Sequence, residues 1–282
     1  MEARACYPGS IGEVIQGRVK GIDTLLSCPV NLFTNVRIYE CKNPFKKTFY
    51  PKSSQFLANV LKNWGYTDCI ETLDIEICSD IPKGKGFASS TADLCGIYNC
   101  LIQLFHRKHD EDELAAECIK VEPTDSIIFK NMTFFDYKTG AYKEQIGSYM
   151  EFYLLVFEGN RTVDTIEFNK KSIQPLSQID DLAELTRHGV KKRSLDHIAK
   201  ASTESIIRNQ HRLRYDLLSE ALRLKDVTGG LGIMGAHSGD ALAIIYDDIK
   251  LMERAFVNAP HFKGYKAYKL RTITEEEFRN PE

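Results

Sequence analysis

Between Asp80 and Ala92 the chain sets out residue types suited to holding a phosphate group. Ile81, Pro82, Lys83, Gly84, Lys85 and Gly86 form a glycine-bearing turn, and Phe87, Ala88, Ser89, Ser90 and Thr91 lead from it into an apolar periodic segment. An anion is bound at such a place because the first amides of a helix lack intrahelical partners and the helix dipole adds partial positive charge there. Glycine lets the backbone come close, and a serine or threonine hydroxyl can donate to phosphate or ligate magnesium. The stretch has no Gly-Lys-Ser/Thr ending of the Walker A kind. A plain strand-to-helix turn capped by Ser89 or Ser90 would use the same residues, so both readings stay open at this level.

Two other stretches carry chemistry. In Val121, Glu122, Pro123, Thr124, Asp125 and Ser126, carboxylates flank a proline that fixes the turn. Paired acids can divide metal binding from base work, although a solvated turn would look alike. From Thr228 to Gly239, Gly230, Gly232 and Gly235 stand at the spacing of a dinucleotide fingerprint. Here a helix precedes and a strand follows, the reverse of the order that fingerprint needs, so a flexible loop ending in His237 and Ser238 is expected.

Elements must position these segments. Leu73, Ile75 and Ile77 alternate with Asp74 and Glu76, the period of a half-buried strand entering the first turn. Residues 28–39 also read as extended. Leu94, Ile97, Tyr98, Leu101, Leu104 and Phe105 recur at helical spacing after the turn. A helix over 112–120 follows, with Asp110 as its cap. Further helices are expected at 194–208, 213–225 and 249–258, and strands at 152–157, 241–246 and 264–270. The class is α plus β. The polar stretch from Glu158 to Gln178 separates an apolar run from a helix-rich region, and a domain boundary is drawn near residue 150.

At 282 residues the chain suits one large domain or two ordinary ones. With 43% apolar and 27% charged residues it has a globular balance, which excludes disorder as the main state. Its 37 Lys plus Arg against 39 Asp plus Glu leave no basic excess, so no nucleic-acid partner is expected. Apolar runs such as 152–157 and 241–246 are far shorter than the roughly 20 residues that span a bilayer, so no membrane partner is expected either. Glu2, Arg4 and Pro8 interrupt any signal-like start. The 8 cysteines lie between Cys6 and Cys118 without any C-x-x-C pair, and are read as reduced, mostly buried thiols. A cytoplasmic location is expected.

Taken with the N-terminal Pro8 to Gly17, these segments resemble the GHMP small-molecule kinase superfamily. Pro82 to Ala92 is similar to that family's central motif of Pro, three residues, then Gly-Leu-Gly-Ser-Ser-Ala-Ala, and departs from it at Ala88, where glycine is usual. Within the superfamily the closest resemblance is to the L-threonine kinases of cobalamin synthesis. It rests on Gly12 to Gly17, Ser27 to Val30, Gly84 to Asp93, Glu122 to Asp125 and Ala236 to Gly239, which stand in that order over nearly the whole chain.

The resemblance implies a two-domain GHMP kinase fold. Residues 1–150 would be an ATP-binding domain like ribosomal protein S5 domain 2, and residues 151–282 a ferredoxin-like α plus β domain. It implies ATP and Mg2+ as cofactors and phosphorylation of L-threonine to L-threonine O-3-phosphate, feeding the aminopropanol arm of cobalamin synthesis. Lys83, Gly84, Lys85, Gly86, Phe87, Ala88, Ser89, Ser90 and Thr91 would hold the nucleotide. Ser90 with Glu122 or Glu117 would hold magnesium, with Glu122 preferred. Asp125 would take or orient the acceptor proton. Glu13, Gln16, His237, Ser238 and Gly239 would face substrate or phosphate, with Glu13 serving the ammonium. Homoserine, another amino alcohol or mevalonate are the alternative acceptors. A catalytically inactive nucleotide-binding regulator is the alternative of another class, against which Asp125, Ser90 and the glutamates argue.

Overall fold

The structure is a computed structural model that describes residues 1–162, 174–237 and 239–279. It opens with a long antiparallel hairpin of β1 (Glu2–Val19) and β2 (Ile22–Glu40). Lys20 and Gly21 join the strands at φ of 50° and 81°, the left-handed pair that matches the twist of a tight hairpin. The register slips between Pro8 and Ile15, and bulges of this kind re-aim side chains. This hairpin was absent from the sequence reading of β1 and of the first part of β2, because Gly9, Gly12 and Gly17 break the alternation that marks a strand.

Helix α1 (Pro51–Trp64) also lay outside the sequence expectations. Pro51 starts it with a preset φ, and Gly65 ends it in the left-handed region. β3 (Leu73–Ser79) then pairs with β2 and feeds the glycine-bearing turn. Out of that turn comes α2 (Ser89–Leu104), whose Leu94, Cys95, Ile97, Tyr98 and Leu101 are buried as the helical period requires. It packs so closely on β2 that a Cβ at Gly96 would lie 2.6 Å from Val36 Cγ2. α3 (Glu111–Val121) begins as expected, with the Asp110 carboxylate accepting the amides of Asp112 and Glu113.

The chain continues through β4 (Met132–Phe135), β5 (Lys143–Gly147), β6 (Tyr153–Gly159), α4 (Asp180–Lys192), α5 (Leu195–Arg208) and α6 (Leu218–Thr228). It ends with β7 (Gly232–Gly235), β8 (Ala241–Tyr246), α7 (Ile249–Asn258), β9 (Tyr265–Arg271) and α8 (Glu275–Arg279). Two expectations need correction. The helix placed at 213–225 begins only at Leu218. The glycines from Gly232 to Gly235 are not in a flexible loop but form the buried strand β7, where a Cβ at Gly232 would lie 2.4 Å from the Ala199 carbonyl oxygen of α5. Their role is close helix-to-strand packing.

The described strands make one nine-stranded sheet in the order β5-β4-β2-β1-β7-β8-β6-β9, with β3 also on β2. The halves of the chain on either side of residue 150 share it, through the pairing of Glu13 with Gly235. The larger apolar core draws on both halves as well, from Tyr7 and Leu101 to Leu154 and Ile245. Among the described residues no helix is long and apolar enough to cross a membrane.

Candidate active site

The loop between β3 and α2 is pinned from below by β1. Ser10 N donates to the Phe87 carbonyl and Gly12 N to the Gly86 carbonyl, at 3.0 and 2.8 Å. Ala236 and Gly239 close in from the other side. A Cβ at Gly12 would lie 2.4 Å from Ala236 Cα, one at Gly86 2.2 Å from Ala236 Cβ, and one at Gly239 2.1 Å from the Lys85 carbonyl oxygen. Three motifs far apart in sequence therefore meet at positions where only glycine fits.

The cavity they border holds about 430 Å³. Of the residues singled out in the sequence, Glu13, Gln16, Lys83, Gly84, Gly86, Phe87, Ala88, Ser89, Ser90, Thr91, Glu122, Asp125 and His237 line it. Lys85, Glu117 and Gly239 do not. Ser238 lies outside the described residues.

α2 starts at Ala88, which sits in the left-handed region at φ 54°, and no side chain caps it. The capped-turn alternative is thus not realised, and the first amides of a long helix open on the cavity with their dipole behind them. The backbone shape also accounts for the family's usual glycine at this position, since a left-handed alanine costs about 1 kcal/mol.

Beside this terminus, Asp125 is half-buried and fixed from several sides. Its Oδ1 accepts the Ile127 amide at 3.0 Å and its Oδ2 the Ser27 hydroxyl at 3.1 Å, which gives the Ser27 to Val30 segment its place in the site. Its own amide donates to Thr91 Oγ1, whose hydroxyl also meets Thr124 Oγ1, so Thr91 ties the helix to the Asp125 loop. Burial, with the Glu13 carboxylate adding to it, pushes the Asp125 carboxyl up to about 7. A carboxyl poised there is suited to proton work near neutral pH.

Glu13 is buried on the bulged stretch of β1. One carboxylate oxygen accepts the His237 amide at 2.9 Å and lies 3.3 Å from its ring Nδ1. The far ring nitrogen meets Ser205 Oγ, which also bonds the Gln16 backbone, so α5 braces both β1 and the 236–239 turn. Glu122 is buried at the other end of the cavity and receives the Lys52 ammonium at 2.6 Å. Glu117 is turned into the protein, with Oε1 accepting from Lys120 and Oε2 buried without a partner.

Several lining residues carried no role in the sequence reading. Asp93 of α2 accepts the Thr34 hydroxyl at 2.6 Å, and burial pushes its carboxyl up to about 6 despite that bond and nearby Lys83. Tyr137 and Arg212 face the side of the cavity nearer Glu13. The Arg212 guanidinium has no hydrogen bond or ion pair to another described residue. No sequence signal separates Arg212 from the nearby Arg208 and Arg214; only the fold does.

Among the described residues no group of three or more His, Cys, Asp or Glu side chains could hold a metal. Glu122 and Ser90 supply the hard oxygen donors that magnesium favours, and that ion commonly takes one or two carboxylates and completes its shell from water and substrate phosphates. The donor set fits such an ion.

Comparison with known proteins bears on the family and the fold. Residues 52–130 match the family model of the GHMP kinases N terminal domain. The chain is 28% identical over 251 residues to L-threonine kinase of Salmonella typhimurium, covering 87% of this chain and 83% of that protein. It is likewise 28% identical to L-threonine kinase of Citrobacter freundii, with 86% of that protein covered. Among solved structures, homoserine kinase from Cytophaga hutchinsonii superposes with a TM-score of 0.72 at 13% identity, covering 97% of this chain and 95% of that one. Mevalonate kinase of L. major, solved with R-mevalonate, superposes with a TM-score of 0.67 at 12% identity and 96% coverage of both. The fold is that of these kinases.

Proposed function

We propose that this chain is a GHMP kinase that transfers the γ-phosphoryl group of ATP to the hydroxyl of L-threonine, giving ADP and L-threonine O-3-phosphate; the family match over residues 52–130 and the fold support the reading. The observation that carries the reading is the uncapped start of α2 lining one cavity with Asp125. Phosphoryl transfer asks a protein mainly for position and charge stabilisation, and these two features supply an anion seat and a proton acceptor.

Amides from Gly84 to Ser90 hold the phosphates, with Lys83 adding charge from the cavity rim. Ser90 and Glu122 hold Mg2+, which when bound neutralises phosphate charge. Lys52 must then yield its present bond to Glu122. Asp125, held in line by Ser27 and Ile127, orients the acceptor hydroxyl and receives its proton as the bond to phosphorus forms.

An amino acid acceptor needs an anion for its ammonium and donors for its carboxylate. Glu13 serves the first, with one oxygen committed to His237. Arg212 serves the second, as a guanidinium lining the cavity with no hydrogen bond or ion pair to another described residue. We assign residues 1–150 to the nucleotide-binding half and 151–282 to the half that supplies Arg212 and His237. The product would feed the aminopropanol arm of cobalamin synthesis, and the cytoplasm, where thiols such as exposed Cys78 stay reduced, suits the enzyme.

L-Homoserine shares the ammonium and carboxylate, so the same pair would receive it; mevalonate lacks the ammonium that Glu13 awaits. Purified protein with magnesium ATP should release ADP fastest with L-threonine, compared with L-serine, L-homoserine, D-threonine and mevalonate. A faster rate on one of the others would move the acceptor assignment and keep the kinase.

A further inference from the structure

Lys85 stands in the middle of the glycine-bearing turn, where a cation would be expected to touch phosphate. Its ammonium instead turns away from the cavity and donates to the carbonyls of Gly159 and Arg161, at 2.8 and 2.7 Å. The segment it grips is itself locked to Asp240. Gly159 N donates to the Asp240 carbonyl at 2.7 Å, and Arg161 gives the buried Asp240 carboxylate both its amide, at 2.8 Å, and its guanidinium, at 2.7 Å. Asp240 N closes the ring by donating to the Lys85 carbonyl at 3.3 Å. Gly159 and Gly239 make the approach possible, since a Cβ at Gly159 would lie 2.2 Å from Asp240 Oδ2 and one at Gly239 2.1 Å from the Lys85 carbonyl oxygen. The next residue along, Thr162, lines the cavity.

We propose that Lys85, Arg161 and Asp240 form a clasp that holds the phosphate-binding loop in its working shape, with the Lys85 side chain as a positioning group whose ammonium does not itself touch the nucleotide. The proposal rests on the kinase reading for what the loop binds, but the clasp is a property of the fold. Three chain segments, 84–86, 159–161 and 239–240, converge on it, and the loop residues 84–87 lie outside any helix or strand. Its amides point at a ligand only while both ends and the middle are held. β1 holds the distal side through Ser10 and Gly12, and the clasp holds the proximal side. Pre-set donors bind without ordering cost at the moment of binding, so the clasp should act on nucleotide affinity more than on the chemical step.

The test compares Lys85→Met, Asp240→Asn, their double variant and Lys85→Arg in the full chain. Lys85→Met should raise KM for ATP about tenfold while kcat falls less than about threefold, the pattern of lost binding without lost transition-state contact. The double variant should be no worse than the weaker single, because both break one unit. Lys85→Arg, which can still donate to both carbonyls, should restore KM to within about threefold of the parent. Amide hydrogen exchange at residues 84–88 should speed up in Lys85→Met without ATP present. This last measurement needs no activity, so unchanged exchange overturns the clasp even if the kinase reading stands. Faster exchange in a protein that never binds ATP would uphold the clasp and overturn the kinase reading. A hundredfold fall in kcat for Lys85→Met, or multiplying effects in the double variant, would put Lys85 on the phosphate and end the proposal. Should Asp240→Asn fail to fold, Arg161→Lys takes its place in the cycle.

Discussion

Asp125 shows how one side chain is tuned by its surroundings. Burial and the Glu13 carboxylate both disfavour its charge, while Ser27 and the Ile127 amide favour it, and the first pair prevails. If it receives the acceptor proton, kcat/KM for the acceptor should rise with pH through about 7 and level off above. Asp93, near 6, is the other cavity carboxyl in this range, so Asp93→Asn should leave that inflection in place. Asp125→Asn should cut kcat at least about a hundredfold while ATP still binds by calorimetry. The same shift bears on stability. A carboxyl raised in the folded state adds stability below its unfolded value and loses it as pH rises through the folded one. The Asn variant should therefore gain melting temperature over the parent above pH 7, and the gain should vanish below about pH 4. For Arg212, removal of a charged hydrogen bond is worth about 1.5 to 3 kcal/mol. Arg212→Ala should accordingly raise KM for L-threonine roughly 10- to 150-fold and abolish the preference for L-threonine over L-threoninol, which has no carboxylate. Asp125 was legible in sequence because Glu-Pro-Thr-Asp is local; Arg212 was not, because its place depends on a turn after α5 folding over a cavity made by β1 and α2.

At the scale of elements, the site is a seam between the loop before α2, the bulged stretch of β1 and the turn after β7. Glycine makes each approach possible. Gly86→Ala would add strain at φ 82° and a contact 2.2 Å from Ala236 Cβ. It should cost about 2 kcal/mol or more in denaturant unfolding and weaken ATP binding with it. Ala88→Gly relieves a left-handed alanine at the start of α2 and should keep activity with a melting temperature equal to or above the parent. Helices and strands with clean periods were read correctly from sequence, as with α2, α3, α7 and β8. β1 and β7 were not, since their glycines serve packing against neighbours and so erase the alternation of a strand. α1 escaped because its apolar residues, Phe56, Leu57, Val60 and Leu61, are set among lysines and serines after an irregular loop. Glu117 illustrates a different limit: the resemblance offered it beside a slightly preferred Glu122, and only the folded α3 and its end turn one inward and the other to the cavity.

For the whole molecule, one sheet and one main core join the half of the chain before residue 150 to the half that supplies His237 and Arg212. The two sets of groups are therefore held together by β1 pairing with β7, and the start of α2, Asp125, Glu13 and Arg212 line one cavity, in which we propose they act as phosphate seat, proton acceptor and amino acid cradle. The order of the motifs along the chain made the fold class readable; the sharing of the sheet was not, because Glu13 and Gly235 are distant in sequence and their pairing leaves no local mark. The central claim is that this cavity phosphorylates L-threonine. Its most direct test is a competition in which purified protein, magnesium ATP and equal amounts of L-threonine and L-homoserine react, with the phosphorylated products resolved by mass. L-Threonine O-3-phosphate as the main product, formed in step with ADP, is the predicted result. Phosphohomoserine in excess, or ADP without either phosphoamino acid, would contradict it.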